Sequence, residues 1–315
     1  MRIRPLAALS AAALSVLLLA GCASTEPDTE PTPTETEASA ADLCASAAPS
    51  GSISEAVVVT GDAGTAATAE FDAPLDVASA ERTVIVEGDG EPIQSGDLVQ
   101  YGASIFDAAT GELFESGGYE AAILPVQVSV GSGADQFFGC ATEGSRIVMA
   151  VPGNEQAPAT VWVLDVLDTN PAAAWGEPQE PVAGMPTVEL DESGAPTITI
   201  PEGDAPTEVE LATLKEGDGT VVDPGATVLV HYTGVKWSDG SVFDSSWERG
   251  TPSSFATTGV VEGFKQALEG QTVGSQVLVV IPPEFGYAAS EGHELQDETL
   301  VFVVDILGVQ PAATP

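Results

Sequence analysis

The chain repeats itself, and that repeat constrains its architecture more than any other feature. Glu87-Gly88-Asp89-Gly90 recurs as Glu216-Gly217-Asp218-Gly219, 129 residues later. Gly96 and Gly225, Gly111 and Gly240, and Phe114 and Phe243 keep the same spacing. Glu143-Gly144-Ser145 answers to Val273-Gly274-Ser275, and Val151-Pro152 to Ile281-Pro282, at 130; the stretch 161–167 answers to 301–307 at 140. Whatever one half folds into, the other is expected to resemble. The spacing predicts two related domains, 41–169 and 206–310, the first shorter near its end. A bridge at 170–205, rich in Pro, Gly and Glu, joins them. A chain of 315 residues is long enough for both.

The local pattern is mostly strand. Val228, Val230 and Tyr232 alternate with Leu229, His231 and Thr233, while 276–281 and 300–307 are β-branched runs of strand length. Val57-Val58-Val59 reads as a strand and Asp62-Ala63-Gly64 as a turn. Pro196-Thr197-Ile198-Thr199-Ile200-Pro201 alternates like an edge strand. The helical candidate in the second half is 263–268, closed by Gly270. The expected fold class is α+β, with each antiparallel sheet curved around one short helix.

The N-terminus reads as an export signal. Arg2 and Arg4 precede an apolar run, 6–20, too short for a comfortable membrane span. The run ends in Leu19-Ala20-Gly21-Cys22, which resembles the bacterial lipoprotein processing site. That resemblance implies a signal peptide at 1–21 and lipidation of Cys22. Residues 22–40, rich in Thr, Pro and Glu, form a tether that cannot bury a core. The folded part is then lipid-anchored to the cell membrane on its extracytoplasmic side. The alternative is an ordinary cleaved signal with an incidental cysteine.

Acidic residues number 48 against 8 Lys and Arg, a formal net charge of −40. Such a surface excludes nucleic acid as a partner, since phosphates require cationic side chains. It fits secretion and salt adaptation equally well. Beyond Cys22 the cysteines are Cys44 and Cys140. Export permits a disulfide between them, and two buried free thiols are the alternative. His231 and His293 are too few and too scattered for a metal site, and the acidic runs lack calcium-loop spacing. No metal or cofactor is expected.

Residues 230–246 read Val-His-Tyr-Thr-Gly-Val-Lys-Trp-Ser-Asp-Gly-Ser-Val-Phe-Asp-Ser-Ser. Gly-Phe-Lys-Gln-Ala-Leu-Glu-Gly follows at 263–270, Val-Gly-Ser at 273–275 and Ile-Pro-Pro-Glu-Phe-Gly-Tyr at 281–287. Thr-Leu-Val-Phe-Val-Val-Asp-Ile-Leu closes the series at 299–307. In this order the motifs resemble FKBP-type peptidyl-prolyl isomerases. The resemblance implies two FKBP-like domains, the first degenerate, and peptidyl-prolyl cis-trans isomerase activity in the second. It also implies a pocket lined by Tyr232, Phe243, Phe255, Val260, Val261, Phe264, Tyr287 and Phe302. Phe264 is its floor, where the family usually has tryptophan. Tyr287 offers a hydroxyl to a substrate carbonyl. Asp244 sits at the edge, hydrogen-bonded to Tyr232. Taken singly, Phe302 and Val261 read as core, Tyr287 as a loop anchor and Asp244 as a turn residue; their ordered co-occurrence favours the pocket. Proline-containing unfolded or exported polypeptides are the implied substrates, and macrolides the implied small-molecule ligands.

That chemistry suits these residue types. Rotation about an X-Pro bond crosses a barrier of about 18–20 kcal/mol set by amide resonance. The twisted amide is less polar than the planar one, so an apolar, water-poor wall binds it preferentially. No nucleophile, metal or proton shuttle is needed. Two departures touch specificity: Ser253 stands where relatives often have an aromatic, and the stretch 288–297 is about two residues short and acidic. At the repeat spacing, Tyr232 corresponds to Ala103, Asp244 to Glu115 and Phe264 to Ala134. The flap bearing Tyr287 falls in the gap between Gly153 and Ala159. Phe114 is kept, and Tyr101, Phe137 and Phe138 lie near the other positions. The first copy is therefore expected not to catalyse. The competing function is a non-catalytic chaperone or binding module using the same pocket.

Overall fold

The structure is a computed structural model and describes residues 43–312. Cys22, the signal at 1–21 and the tether at 22–40 lie outside the described residues. A hairpin comes first, β1 (Val58–Thr60) and β2 (Thr68–Glu70). Then follow β3 (Glu81–Val86), β4 (Leu98–Asp107), β5 (Leu113–Gly117), β6 (Val126–Gln127), β7 (Arg146–Val151) and β8 (Thr160–Asn170). They form one antiparallel sheet in the order β3-β7-β8-β4-β5, with β6 beside β4. The second half adds β9 (Glu177–Pro178), a hairpin of β10 (Thr187–Leu190) and β11 (Pro196–Thr199), β12 (Glu210–Glu216), β13 (Thr227–Lys236) and β14 (Val242–Ser245). It ends with β15 (Ser253–Ala256), β16 (Gln276–Ile281) and β17 (Leu300–Gln310). This sheet runs β14-β13-β17-β16-β12-β9, with β15 on β13. The fold is thus mostly β, with short helices at Ser52–Ala56, Ala134–Phe138, Ser246–Arg249 and Glu262–Leu268.

The two ladders share their irregularities. Register shifts fall between Val84 and Val86 and between Thr213 and Lys215. They fall again between Gln100 and Tyr101 and between Leu229 and Val230, and at Ile105/Phe106 and Gly234/Val235. Each pair stands 129 residues apart, so Ala103 opposite Leu164 occupies the place of Tyr232 opposite Val304.

Both faces of each sheet are covered, which explains why β16 and β17 lack polar alternation. Val277, Val279 and Ile281 face the helix Glu262–Leu268, in one core with Phe302, Val304 and Ile306. Leu278, Val280, Val301 and Val303 face the other way, into a second core closed by Met185, Ile198 and Trp237. The stretch 170–205, expected as a bridge, therefore folds onto the second sheet through the β10–β11 hairpin. In the first half, Val57, Ala67 and Val77 around the β1–β2 hairpin cover Phe106, Val148, Val161 and Val163 in the same way. Its inner core includes Leu43, fully buried beside Phe138, Met149 and Leu164. The Cys44–Cys140 disulfide fastens the helical turn at 43–46 there.

The two sheets meet directly. Leu98 and Leu124 of the first half pack with Leu229 and Leu307 of the second, joined by Ala172 and Trp175. Gly308 lies so close to Pro125 that a Cβ there would stand 2.4 Å from the proline Cδ.

Candidate active site

On the inner face of the second sheet, alternation along β13 turns Val228, Val230 and Tyr232 toward the helix Glu262–Leu268. The helix begins where Gly263 meets Ile281: a Cβ at 263 would lie 2.4 Å from Ile281 Cγ2, so this close approach requires glycine. Phe264 thereby reaches the centre of the face. Its ring lies 5.0 Å from Phe302, 6.0 Å from Phe255 and 6.1 Å from Tyr232, each edge-on. Phe243, from β14, stands edge-on to Phe302 at 5.3 Å. Tyr232 completes the ring set at 5.7 Å from Phe255 and 6.2 Å from Phe302. Edge-to-face packing of this kind is favourable and fixes the walls. Tyr232, Phe264 and Phe302 keep only 5–6 % of their surface, whereas Phe243, Phe255, Val260, Val261 and Tyr287 are half-buried around them. The result is a shallow aromatic hollow. Clefts elsewhere, one of about 650 Å³ beside Trp237, lack such convergent rings.

One polar cluster sits at the rim. Tyr232 Oη donates to Asp244 Oδ2 at 2.6 Å. Arg249 Nη1 pairs with Asp244 Oδ1, and its Nη2 donates to Tyr232 Oη at 2.9 Å and to Ser253 Oγ at 3.3 Å. Burial pushes Asp244 up, but hydrogen bonds from Tyr232 and Arg249, together with the Arg249 charge, outweigh it and hold the carboxyl below its ordinary value. Tyr232 is raised, by burial first and then by its bond to Asp244. The rim is thus a fixed carboxylate beside a protonated phenol. Arg249 was not foreseen among the site residues. Its signal in the sequence was there: it is the sole basic residue between Lys236 and Lys265 in a strongly acidic chain.

The pattern of the family described as FKBP-type peptidyl-prolyl cis-trans isomerase matches residues 219–307, which hold all of these side chains. The chain is 41 % identical over 92 residues to the "Probable FK506-binding protein" of Corynebacterium glutamicum, covering 29 % of this chain and 78 % of that one. It is 39 % identical over 107 residues to the "FK506-binding protein" of Streptomyces anulatus, covering 32 % and 86 %. The chain belongs to the FKBP-type peptidyl-prolyl cis-trans isomerase family. The FKBP-type isomerase FkpA of Escherichia coli K12 is 37 % identical over 100 residues, 31 % of this chain and 37 % of that protein. The FKBP domain here accordingly lies in the C-terminal part of the chain.

The flap of this FKBP domain follows β16. Pro283–Phe285 forms a 3-10 turn, and Tyr287 then stacks on His293, centroids 4.1 Å apart and 7° from parallel. Leu295, 4 % exposed, anchors the shortened stretch in the aromatic core. Neither His293 nor Leu295 was anticipated; stacking across a loop leaves no periodic trace. The Tyr287 hydroxyl has no hydrogen-bond partner among the described residues. Ser253, where relatives often have an aromatic, accepts a hydrogen bond from Arg249.

The first sheet differs at the matching places. Ala103 and Ala134 stand where the FKBP domain has Tyr232 and Phe264, and Phe114 is 68 % exposed, turned out of the hollow. Trp162, opposite Ile105, takes the place of Phe302 and packs edge-on to Phe137 at 5.6 Å. Loop 152–159 is too short for a flap, and Tyr101 packs against Phe138 at 5.5 Å.

Proposed function

We propose that the FKBP domain isomerises X-Pro bonds of exported polypeptides at the outer face of the cell membrane, held there by lipid on Cys22. The convergence of Tyr232, Phe243, Phe255, Phe264 and Phe302 carries the catalytic part. An apolar wall of this kind favours the twisted amide over the planar one, and water is excluded by Val260, Val261 and the flap. Tyr287 Oη donates to a substrate carbonyl and fixes the peptide. Asp244, kept ionised by Tyr232 and Arg249, holds the phenol in place at the rim. No covalent step or proton transfer is required.

The first half is a degenerate copy of the same fold that does not catalyse. The shared strand order and shared register shifts support the kinship, and the two alanines in place of Tyr232 and Phe264 support inactivity. The anchor rests on 19–22 alone. A protease-coupled assay on a proline tetrapeptide tests the pocket. Phe264→Ala should lose at least about tenfold in kcat/KM, the equivalent of about 1.4 kcal/mol of transition-state stabilisation. Binding of unfolded chains without any turnover would instead favour a chaperone module. Radiolabelled fatty acid incorporated into wild type but not Cys22→Ala tests the anchor.

A further inference from the structure

The helix Ser246–Arg249 stands between the hollow and the seam that joins the two halves. Arg249 reaches the hollow side. On the seam side Trp247 lies flat on His231, centroids 4.0 Å apart and 17° from parallel. His231 precedes Tyr232 on β13, so its side chain leaves the opposite face of the sheet, where it is 3 % exposed. Its Nδ1 lies 2.8 Å from Ser246 Oγ, and that same oxygen accepts the Tyr232 backbone N–H at 2.8 Å. The nearest acceptor for the serine proton is Nδ1, since Tyr232 O is farther at 3.3 Å. One hydroxyl therefore ties the imidazole to the backbone of Tyr232.

Trp247 is pressed onto His231 from behind. A Cβ on Gly194, in the β10–β11 turn, would stand 3.4 Å from Trp247 Cη2 and 2.7 Å from Ala173. Trp247 and the edge of His231 line a cleft of about 460 Å³ whose far wall is Ser95, Asp97 and Gln127 of the first half. The indole N–H is buried without a partner among the described residues, so packing rather than a hydrogen bond sets the ring's position. Asp305, opposite on β17, and Asp97, across the cleft, stand on the side of His231, and Arg249, at the end of the helix that carries Trp247, acts on it through its charge. Asp305 is engaged by Ala174 N and Gln276 Nε2, and Asp97 by Gln94 N, so neither acid bonds the ring.

We infer that Trp247 is a positioning residue for the isomerase site: by covering a face of the His231 ring it keeps the imidazole uncharged, which leaves Arg249 free to hold Asp244 and Tyr232. Burial first, and the Arg249 charge second, push His231 down to about 4, consistent with a ring that stays neutral through the physiological range. Without the indole, water reaches the ring, protonation becomes easier, and the new cation opposes Arg249. The seam with the first half thus acts on the pocket from its rear. This rests on the assignment of Tyr232 and Asp244 to the pocket.

The test is the pH dependence of kcat/KM on a proline tetrapeptide, with the full chain and three variants. Wild type should be flat from about pH 8 to 5, whereas Trp247→Ala should fall about fivefold below about pH 6.5, the scale of a partly screened like-charge contact. Trp247→Phe should restore the flat profile. His231→Gln placed in the Trp247→Ala background should abolish the step. A Trp247→Ala profile parallel to wild type, or a loss that His231→Gln leaves unchanged, overturns the inference. Proton NMR of His231 gives a reading independent of turnover. Ordinary histidine titration in wild type overturns the inference, while titration displaced in wild type and normalised in Trp247→Ala supports it. A wild type inactive at every pH would strike the pocket assignment instead.

Discussion

At the scale of single residues, Arg249 shapes the rim more than its exposure suggests. It is nearly half exposed, and an isolated surface ion pair contributes little. Here it contacts Asp244, Tyr232 and Ser253 together, and its Cζ lies 5.6 Å from the Tyr232 ring centroid. Without it, burial of Asp244 is opposed mainly by the Tyr232 bond, so the carboxyl pKa rises. The sign follows directly. Asp244 is held below the ordinary carboxylate value in wild type, so any acid limb of the isomerase rate lies lower than that of a free carboxyl. In Arg249→Met that limb should move to higher pH. A pH–rate profile down to the limit of folding measures it, and coincident limbs would mean that Arg249 does not hold Asp244.

At the scale of elements, each sheet depends on pieces packed outside it. The β10–β11 hairpin closes the outer core of the FKBP domain, and the turn at 43–46 completes the inner core of the first sheet. The disulfide spans 96 residues of chain, a separation at which a crosslink contributes about 4.7 kcal/mol in the chain-entropy account. Cys44→Ser with Cys140→Ser should therefore lower the unfolding free energy of the first sheet by about that amount while leaving tetrapeptide turnover unchanged. Denaturant melts followed by Trp162 fluorescence, in a background where the other tryptophans are replaced by phenylalanine, would read it. An equal loss in the FKBP domain would show that the two halves unfold as one.

At the scale of the whole molecule, matching positions tie each half to the chain before it. Arg146, buried and paired with Asp165 at 2.8 Å, donates to the carbonyls of Gly61, Asp62 and Thr65, while Asp165 accepts from Gly64 N. Gln276 and Asp305, at the corresponding places, grip the connecting stretch: Asp305 accepts from Ala174 N at 2.8 Å, and Lys215 Nζ donates to Ala174 O at 2.7 Å. Burial pushes Asp305 up to about 6, against the pull of Ala174, Gln276 and Lys215. A folded pKa above the ordinary 3.8 contributes stability at low pH that is lost as pH rises through about 6. Wild type should therefore lose about 3 kcal/mol relative to Asp305→Asn between about pH 4 and 6. Urea melts of both proteins at several pH values test this, and a constant difference would refute it. Docking of the halves depends on Gly308. Gly308→Val drives a side chain into Pro125 and should open the seam, seen as new protease cleavage in 170–176 without loss of either sheet.

Much of this was legible in the chain. The β-branched runs sufficed for antiparallel sheets, because strand period and turn glycines are local properties that survive without tertiary context. The side chains that come together around Phe264 could be named from the chain because their order along it matches a known family. Other features depend on where distant segments land. Arg249 meets Asp244 and Tyr232 only once a short helix has turned it back. Phe114 is exposed although its repeat partner Phe243 packs on Phe302, since flanking cover rather than residue type sets burial. The stretch 170–205 looked like a bridge by composition, yet the outer face of the second sheet needed a lid and that hairpin supplies it. Sequence alone determined the strands and the family to which the C-terminal part belongs, because both follow from local residue types and their order. The seam, the strap on Asp305 and the stack of Trp247 on His231 were decided by packing between segments that no local pattern connects.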